Sequence, residues 1–322
     1  MTPSVSRTAV TALGAVTAVG AAALAWGALV ERTRFTIRHE SVPVLDPGAR
    51  NIVVLHLADI HMAPWQQRKQ EWIRSLALLE PDLIVNTGDN YGHRDALKAI
   101  EYALEPFRGV PGVFVHGSND YFGPQAKNPF RYFAGPSASR KSVSTLDVGA
   151  LEHYFEDSLG WFSLNNTARA IELRGSRLEF FGVNDAHRGW DRLDRLPGAI
   201  EEMRENVGWQ DERGGPDVVT IGVTHAPYRR VLDSFVTNGA DVIFAGHTHG
   251  GQVRIPGRPA LVTNCDIPPT QAQGLSVWTH ARRSALLNVS AGIGTSIYAP
   301  VRFACPPEAV TVTLTPGDFG YS

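Results

Sequence analysis

This 322-residue sequence predicts an α/β domain built on a parallel or mixed sheet, and three observations predict it. Apolar runs of strand length alternate with stretches of helical periodicity, the β-α-β-α-β order that wraps helices around such a sheet. Residues able to do chemistry fall just past the C-terminal ends of the apolar runs, where open α/β sheets gather their ligands. No internal repeat or long linker interrupts the pattern once it begins, so the globular part reads as one domain.

The elements follow in order. Glu31 to Arg50 is a polar, proline-containing lead-in. Ile52 to Ala58 is a buried strand, and Gln67 to Leu79 places Trp72, Ile73, Leu76 and Leu79 on one helical face. Asp82 to Thr87 is a second apolar strand, and Arg94 to Phe107 a helix with Ala96, Ile100, Leu104 and Phe107 in register. Val113 to His116 is the third strand. Gly123 to Gly149, rich in Gly, Pro, Ser and basic residues, is a surface excursion. Ala168 to Leu173 and Leu178 to Val183 form strands joined by a turn at Arg174 to Arg177. Val218 to Thr224 and Asp241 to Ala245 flank a helix from Tyr228 to Asn238, and Ser284 to Leu314 reads as short β segments.

Composition sets the bounds. Apolar residues are 43% and charged residues 19%, enough for a sizeable core and incompatible with global disorder. Thirty basic against 32 acidic residues give a net charge of −2, so no bulk positive charge is available to bind nucleic acid. Two cysteines, Cys265 and Cys305, exclude a disulfide scaffold and a Cys-rich zinc module, and leave a single bridge open.

The run Ala9 to Val30 carries no charge and is just long enough to cross a bilayer, which takes about 20 apolar residues. Its length favours a membrane anchor over a cleaved signal peptide, for which Arg7 and Ala23-Leu24-Ala25 supply the flanks and which would leave a secreted protein. A soluble helix would want a polar face, and the run has none. The chain then divides into an anchor or signal segment, residues 1–32, and a domain, residues 33–322. Arg32, Arg34 and Arg38 follow the run, and the side of the membrane stays open.

Five strand exits carry the chemistry. They are Asp59-Ile60-His61, Gly88-Asp89-Asn90, Gly117-Ser118-Asn119-Asp120, Thr224-His225-Ala226, and Gly246-His247-Thr248-His249-Gly250-Gly251. An Asp-x-His in an extended segment points both side chains to one face, making a metal corner, and His247-x-His249 does the same. Imidazoles mixed with carboxylates suit Zn, Fe, Mn or a related ion. Asp59, His61, Asp89, Asn119, His225, His247 and His249 are too many ligands for one tetrahedral ion. They suit two ions sharing a carboxylate, an arrangement that activates water and clamps a phosphoryl group. A single buried histidine is most simply a core residue bonded to a carbonyl; five ordered strand exits are not explained that way.

These motifs resemble the calcineurin-like metallophosphoesterase superfamily over most of the chain after the apolar run. Gly246-His247-Thr248-His249-Gly250-Gly251-Gln252 resembles its membrane-associated bacterial branch, and the remaining C-terminal sequence resembles actinobacterial members. The resemblance implies a four-layer α-β-β-α sandwich of two mixed sheets. It implies a dinuclear metal-dependent hydrolase of phosphate mono- or diesters, lipid-linked ones included. Asp59, His61 and His249 would hold one ion, Asn119, His225 and His247 the other, and Asp89 would bridge them, with a hydroxide between the ions attacking phosphorus. The chain departs from the family in one place. Where the family reads Gly-Asn-His-Asp or Glu, this chain reads Gly117-Ser118-Asn119-Asp120. A gapless match puts Ser118 at the ligand position, and a one-residue shift keeps Asn119 there; the amide oxygen is the better hard ligand. Either way the family's leaving-group histidine is missing. His93, His116 and His187 are substitutes to test, each more simply a structural or rim residue. That gap leaves two rivals: a metal-binding scaffold of weak turnover, and a different dinuclear metallohydrolase.

Overall fold

The computed structural model describes residues 7–124, 145–209 and 217–317, with the backbone alone for residues 7–16. Helix α1 (Arg7–Leu29) comes first, then β1 (Thr36–Leu45), β2 (Ile52–Leu57), α2 (Gln67–Ser75), β3 (Leu83–Asn86), α3 (Leu97–Leu104) and β4 (Gly112–Phe114). The short helices α4 (Ser118–Tyr121) and α5 (Val148–His153) precede β5 (Trp161–Ser163), β6 (Thr167–Leu173) and β7 (Ser176–Gly182). Helix α6 (Leu196–Val207), β8 (Val218–Thr224), α7 (Arg229–Thr237), β9 (Val242–Ala245), β10 (Gly274–His280), β11 (Arg283–Val289) and β12 (Glu308–Pro316) complete the order.

The strands form two six-stranded mixed sheets, β1-β12-β2-β3-β4-β5 and β10-β11-β9-β8-β7-β6. Strands β2 to β5 run parallel, as do β7, β8, β9 and β11, while β12 and β2, β10 and β11, and β6 and β7 pair antiparallel. Period-two alternation in doubly buried strands explains the layers. In β2, Val54 faces the opposite sheet and packs with Leu83, Val113, Phe180, Ile221 and Phe244. Its neighbours Leu55 and Leu57 face outward, onto Ile73 of α2 and Ile100 and Leu104 of α3. On the far side, Phe181, Ile243 and Leu287 pack under Leu196 and Ile200 of α6 and Leu232 and Phe235 of α7. Three apolar interfaces make four layers, helix-sheet-sheet-helix, as the resemblance implies.

The lead-in is not a lead-in. Thr36–Leu45 is an edge strand paired in parallel with β12, from Thr36 opposite Glu308 onward. Its polar residues are satisfied there: Arg38 lies 3.2 Å from Glu308 and 2.6 Å from Glu40. The cysteines are both buried and free. Of the expected surface excursion, residues 125–144 lie outside the described residues.

The N-terminal run folds as α1, and its end is docked on the domain. The Arg302 N–H donates to Gly27 O at 3.1 Å, Trp26 Nε1 donates to Glu31 at 3.0 Å, and Glu31 accepts the buried Cys305 N–H at 2.8 Å. Among the described residues no helix is long and apolar enough to cross a membrane, so the expected span finds no support here. Part of the run, residues 7–16, is described by its backbone only.

Candidate metal centre

The parallel strands deliver their exits to one edge of the sandwich. Asp59 and His61 follow β2, Asp89 follows β3, Asn119 follows β4, His225 follows β8, and His247 and His249 follow β9. The local reason differs from the extended-segment expectation. Asp59, His61, Asp89, His247 and His249 have φ of 48, 42, 56, 68 and 49°, all in the left-handed region that side chains rarely adopt. Strain of this kind persists only where the surroundings impose it, and it clusters at functional sites. The backbone therefore turns sharply at each side chain. The His247-x-His249 pair splits as a result: His247 Nδ1 lies 3.2 Å from His225 Nε2, and His249 Nε2 lies 3.2 Å from His61 Nε2.

Asp89 stands between the two imidazole pairs. Its Oδ2 is 3.6 Å from His61 Nε2 and 3.6 Å from His225 Nε2. Asn119 reaches the same carboxylate twice, its backbone N–H donating at 2.8 Å and its side-chain amide lying 2.6 Å away. Asp59 accepts the His247 N–H at 2.8 Å through Oδ2. Its other oxygen, Oδ1, is buried with no hydrogen-bond partner and sits 3.7 Å from His249 Nε2. Asp59, His61 and His249 offer ligand atoms within 4.8 Å of one another, and so do Asp59, Asp89 and His225. Gly117 packs against this centre so closely that a Cβ there would lie 2.2 Å from Asp89 Oδ1.

Burial and charge oppose each other here. Burial pushes the Asp59 carboxyl up to about 7 and pushes His61, His247 and His249 down, keeping those rings neutral. Burial would also raise Asp89, but the His225 and His61 rings and the Asn119 hydrogen bonds outweigh it and hold Asp89 low. Burial would lower His225, and the Asp89 and Asp59 carboxylates instead carry it up to about 9. The Thr87 carbonyl accepts from His225 Nδ1 at 2.8 Å, and His247 Nε2 lies 3.2 Å from Asn264 O and 3.1 Å from Asn264 Nδ2, which leaves the other nitrogen of each ring for a ligand role. Two nitrogens on a tetrahedral ion, at 2.0–2.1 Å each, lie about 3.3 Å apart. Two facing imidazole pairs at 3.2 Å, with an unsatisfied buried carboxylate oxygen beside them, fit divalent metal binding.

Sequence reasoning missed three charged residues around this centre. Arg302 is fully buried and donates to the carbonyls of Ala291 at 2.7 Å, Gly292 at 3.0 Å and Gly294 at 2.7 Å. That segment in turn donates to Ala58 O and Asp59 O, and a Cβ at Gly294 would lie 2.3 Å from Ile60 O. Buried Lys69 donates to Ile60 O at 2.8 Å and His61 O at 3.1 Å, behind the same corner. Asp185, at the exit of β7, is fully buried with Oδ2 unpartnered, and burial raises it to about 6. Its strand-exit position was the available signal.

The three substitute histidines separate. His116 is inside the domain, 3.0 Å from Glu152 and 3.6 Å from Asp120, the latter an ion-pair distance too long for a hydrogen bond. His93 stands at the rim with its ring centroid 5.0 Å from that of Trp65. His187 lies against the centre, its ring centroid 4.6 Å from that of His247 and its Nδ1 2.9 Å from Tyr228 Oη.

Comparison with known proteins bears on this geometry. The family profile described as calcineurin-like phosphoesterase matches residues 52–251, more than half of the chain. The uncharacterized protein YpbG of Bacillus subtilis is 26% identical over 278 residues, covering 83% of this chain and 82% of that protein. The uncharacterized metallophosphoesterase YkuE of the same organism is 20% identical over 293 residues, covering 89% and 86%. A transmembrane protein with metallophosphoesterase domain from Bos taurus is 25% identical over 218 residues, which cover 66% of this chain and 44% of the bovine protein, so the chain spans less than half of that relative.

Proposed function

The chain belongs to the calcineurin-like phosphoesterase family, and from that premise we propose that it hydrolyses phosphate esters with two divalent metal ions. One ion is held by Asp59, His61 and His249, the other by Asn119, His225 and His247, and Asp89 reaches both. The observation that carries this reading is the pair of facing imidazole nitrogens, each 3.2 Å apart, with Asp89 Oδ2 at 3.6 Å from a member of each pair. Bound ions of the Mn, Fe or Zn kind would supply Lewis acidity and a water activated near neutral pH. The chain's own contribution is to fix the ligands. Thr87 sets the His225 tautomer, Asn264 orients the His247 ring, the His247 N–H holds Asp59, and Asp120 ties down the Asp89 loop through the N–H groups of Asp89 at 2.8 Å and Asn90 at 2.7 Å.

The substrate is a phosphate mono- or diester. A lipid-linked ester and attachment through the N-terminal segment are supported by the uncharged run Ala9 to Val30 and by the bovine relative's description as a transmembrane protein. The test is release from a generic aryl phosphodiester with and without added Mn²⁺, alongside Asp89→Asn. Wild type should turn over only with metal. The variant should lose metal by elemental analysis and lose more than the roughly 10–100-fold that outer partners of a metal site cost. Two ions retained and normal turnover in Asp89→Asn would overturn the assignment. Metal bound without any release would leave a scaffold.

A further inference from the structure

We propose that the rings of Tyr121, Phe122 and Trp190 form a subsite for a planar aromatic group carried by the phosphoester, either a nucleobase or an aryl ester. This rests on the phosphoesterase reading and deepens it. All three rings are half-buried, and none belongs to any of the three apolar cores. Tyr121 and Phe122 stand two and three positions after Asn119. Trp190 meets Tyr121 edge to face, centroids 4.9 Å apart at 84°, and lies 5.9 Å from Phe122.

The shelf is built rather than incidental. Asn184 donates to Tyr121 Oη at 2.7 Å. Asn166 holds Trp190 O at 3.1 Å, and Trp190 N–H donates to Asp185 O at 3.1 Å. The Trp190 backbone is thus fixed at both ends while its ring stays at the surface. The same loop carries His187, whose ring touches His247, so the shelf adjoins the second-ion half of the centre. Its chemistry selects the occupant. Tyr121 packs edge to face on His116, centroids 5.4 Å apart, and the Arg188 guanidinium lies 5.0 Å over Phe122, which leaves Trp190 as the ring on which a planar group would stack, beside a cation. Stacking on such rings accepts any planar base or aryl ring.

Three methyl phosphodiesters test this on the Mn²⁺-loaded full chain, with hydrolysis followed by ³¹P NMR: the adenosine, the phenyl and the glycerol ester. In Trp190→Leu, KM for the adenosine or phenyl ester should rise roughly 5–100-fold, the range of a lost stacking contact, while the glycerol ester is unmoved. Trp190→Phe should restore most of the loss. A rise for adenosine alone identifies a nucleobase site, and a rise for phenyl as well identifies a general aryl site. Equal effects on all three esters, or none, would overturn the subsite. Quenching of tryptophan fluorescence by adenosine 5′-monophosphate, lost in Trp190→Leu, reads binding without turnover. Should wild type hydrolyse no ester, the phosphoesterase reading fails and the quenching alone still decides the shelf: its presence supports the subsite and its absence overturns it.

Discussion

The two halves of the centre are held in different ways. Around Asp59, His61 and His249 the chain is walled in. The Ser290–Gly294 segment presses on the Asp59 corner, Lys69 and Arg302 fill the space behind with donors, and the end of α1 closes over Arg302 and Cys305. Around Asn119, His225 and His247 the support is Asp120, an ion pair to His116, and two loops that end in half-buried rings. One half is backed by buried cations that donate to backbone carbonyls, whereas on the other His225 itself donates to Thr87 O, 138 residues away. That other half is bordered by the half-buried rings, with His187 against His247. The contrast is between a cation-backed half and a ring-bordered one, and four changes would break or sharpen it.

Arg302 should matter most. Removing its guanidinium strands several buried carbonyls, and each costs roughly 1–3 kcal/mol if left unsatisfied. Arg302→Met should therefore lose about 3 kcal/mol or more in urea unfolding. The first-ion site should weaken further than the second in metal titration. Equal weakening of both would mean that the walled half is not a separate unit.

Asn119 comes next, on the open half. Its amide lies 2.6 Å from Asp89, while among the described residues no side-chain hydrogen bond of Ser118 is seen. Asn119→Ala should weaken one ion by at least about 100-fold, about 2.7 kcal/mol, and leave the other bound. Ser118→Ala should be mild. The reverse ranking, read by metal titration, would put Ser118 at the ligand position.

Much of this was legible in the sequence because it leaves local traces. Apolar runs such as Ile52–Leu57 and Val242–Ala245 mark the strands, and the Asp and His residues follow them directly. What was not legible depends on partners far along the chain. Thr36–Leu45 looks like a polar leader because its charges are satisfied by Glu308, 270 residues on in the case of Arg38. Arg302 sits in no periodic pattern, since only folding brings carbonyls to it, whereas Lys69 shares the helical face of Trp72, Ile73 and Leu76, a lysine on an apolar stripe that was the available signal. The Asp59 corner was read as extended, whereas contacts from Gly88 O and the Gly294 segment hold its two side chains in left-handed turns.

The third change concerns the N-terminal closure. The sequence alone places the start of the fold near Ile52, so cutting before Thr33 should be harmless. The docked end of α1 says otherwise. A chain beginning at Trp26 keeps Gly27 O for the Arg302 N–H and Glu31 for the Cys305 N–H. One beginning at Thr33 loses both, and should be about 2 kcal/mol less stable in urea, since orphaned buried donors cost roughly 1–3 kcal/mol. Equal stability of the two would remove α1 from the wall.

The smallest effect separates the halves by pH. The walled half carries Lys69, which burial pushes down to about 7, and the open half carries His116. Burial opposes its charge, and Asp120 and Glu152 overcome that and raise it to about 9. A histidine raised above its ordinary 6.5 gives its full stabilisation below that value and loses it as pH rises through about 9. A tenfold gain in proton affinity on folding corresponds to about 1.4 kcal/mol, but the Glu152 side chain is 41% exposed, and solvent screening cuts that partner's share. Wild type should lose about 1 kcal/mol between pH 6.5 and 9.5 relative to His116→Gln. Because Asp120 anchors the loops of Asp89 and Gly117, the second ion should loosen as pH rises through about 9, whereas any change at the first should follow Lys69 nearer 7. Parallel pH curves for wild type and variant would show His116 to be neutral, and the open half would then lose its ionic brace.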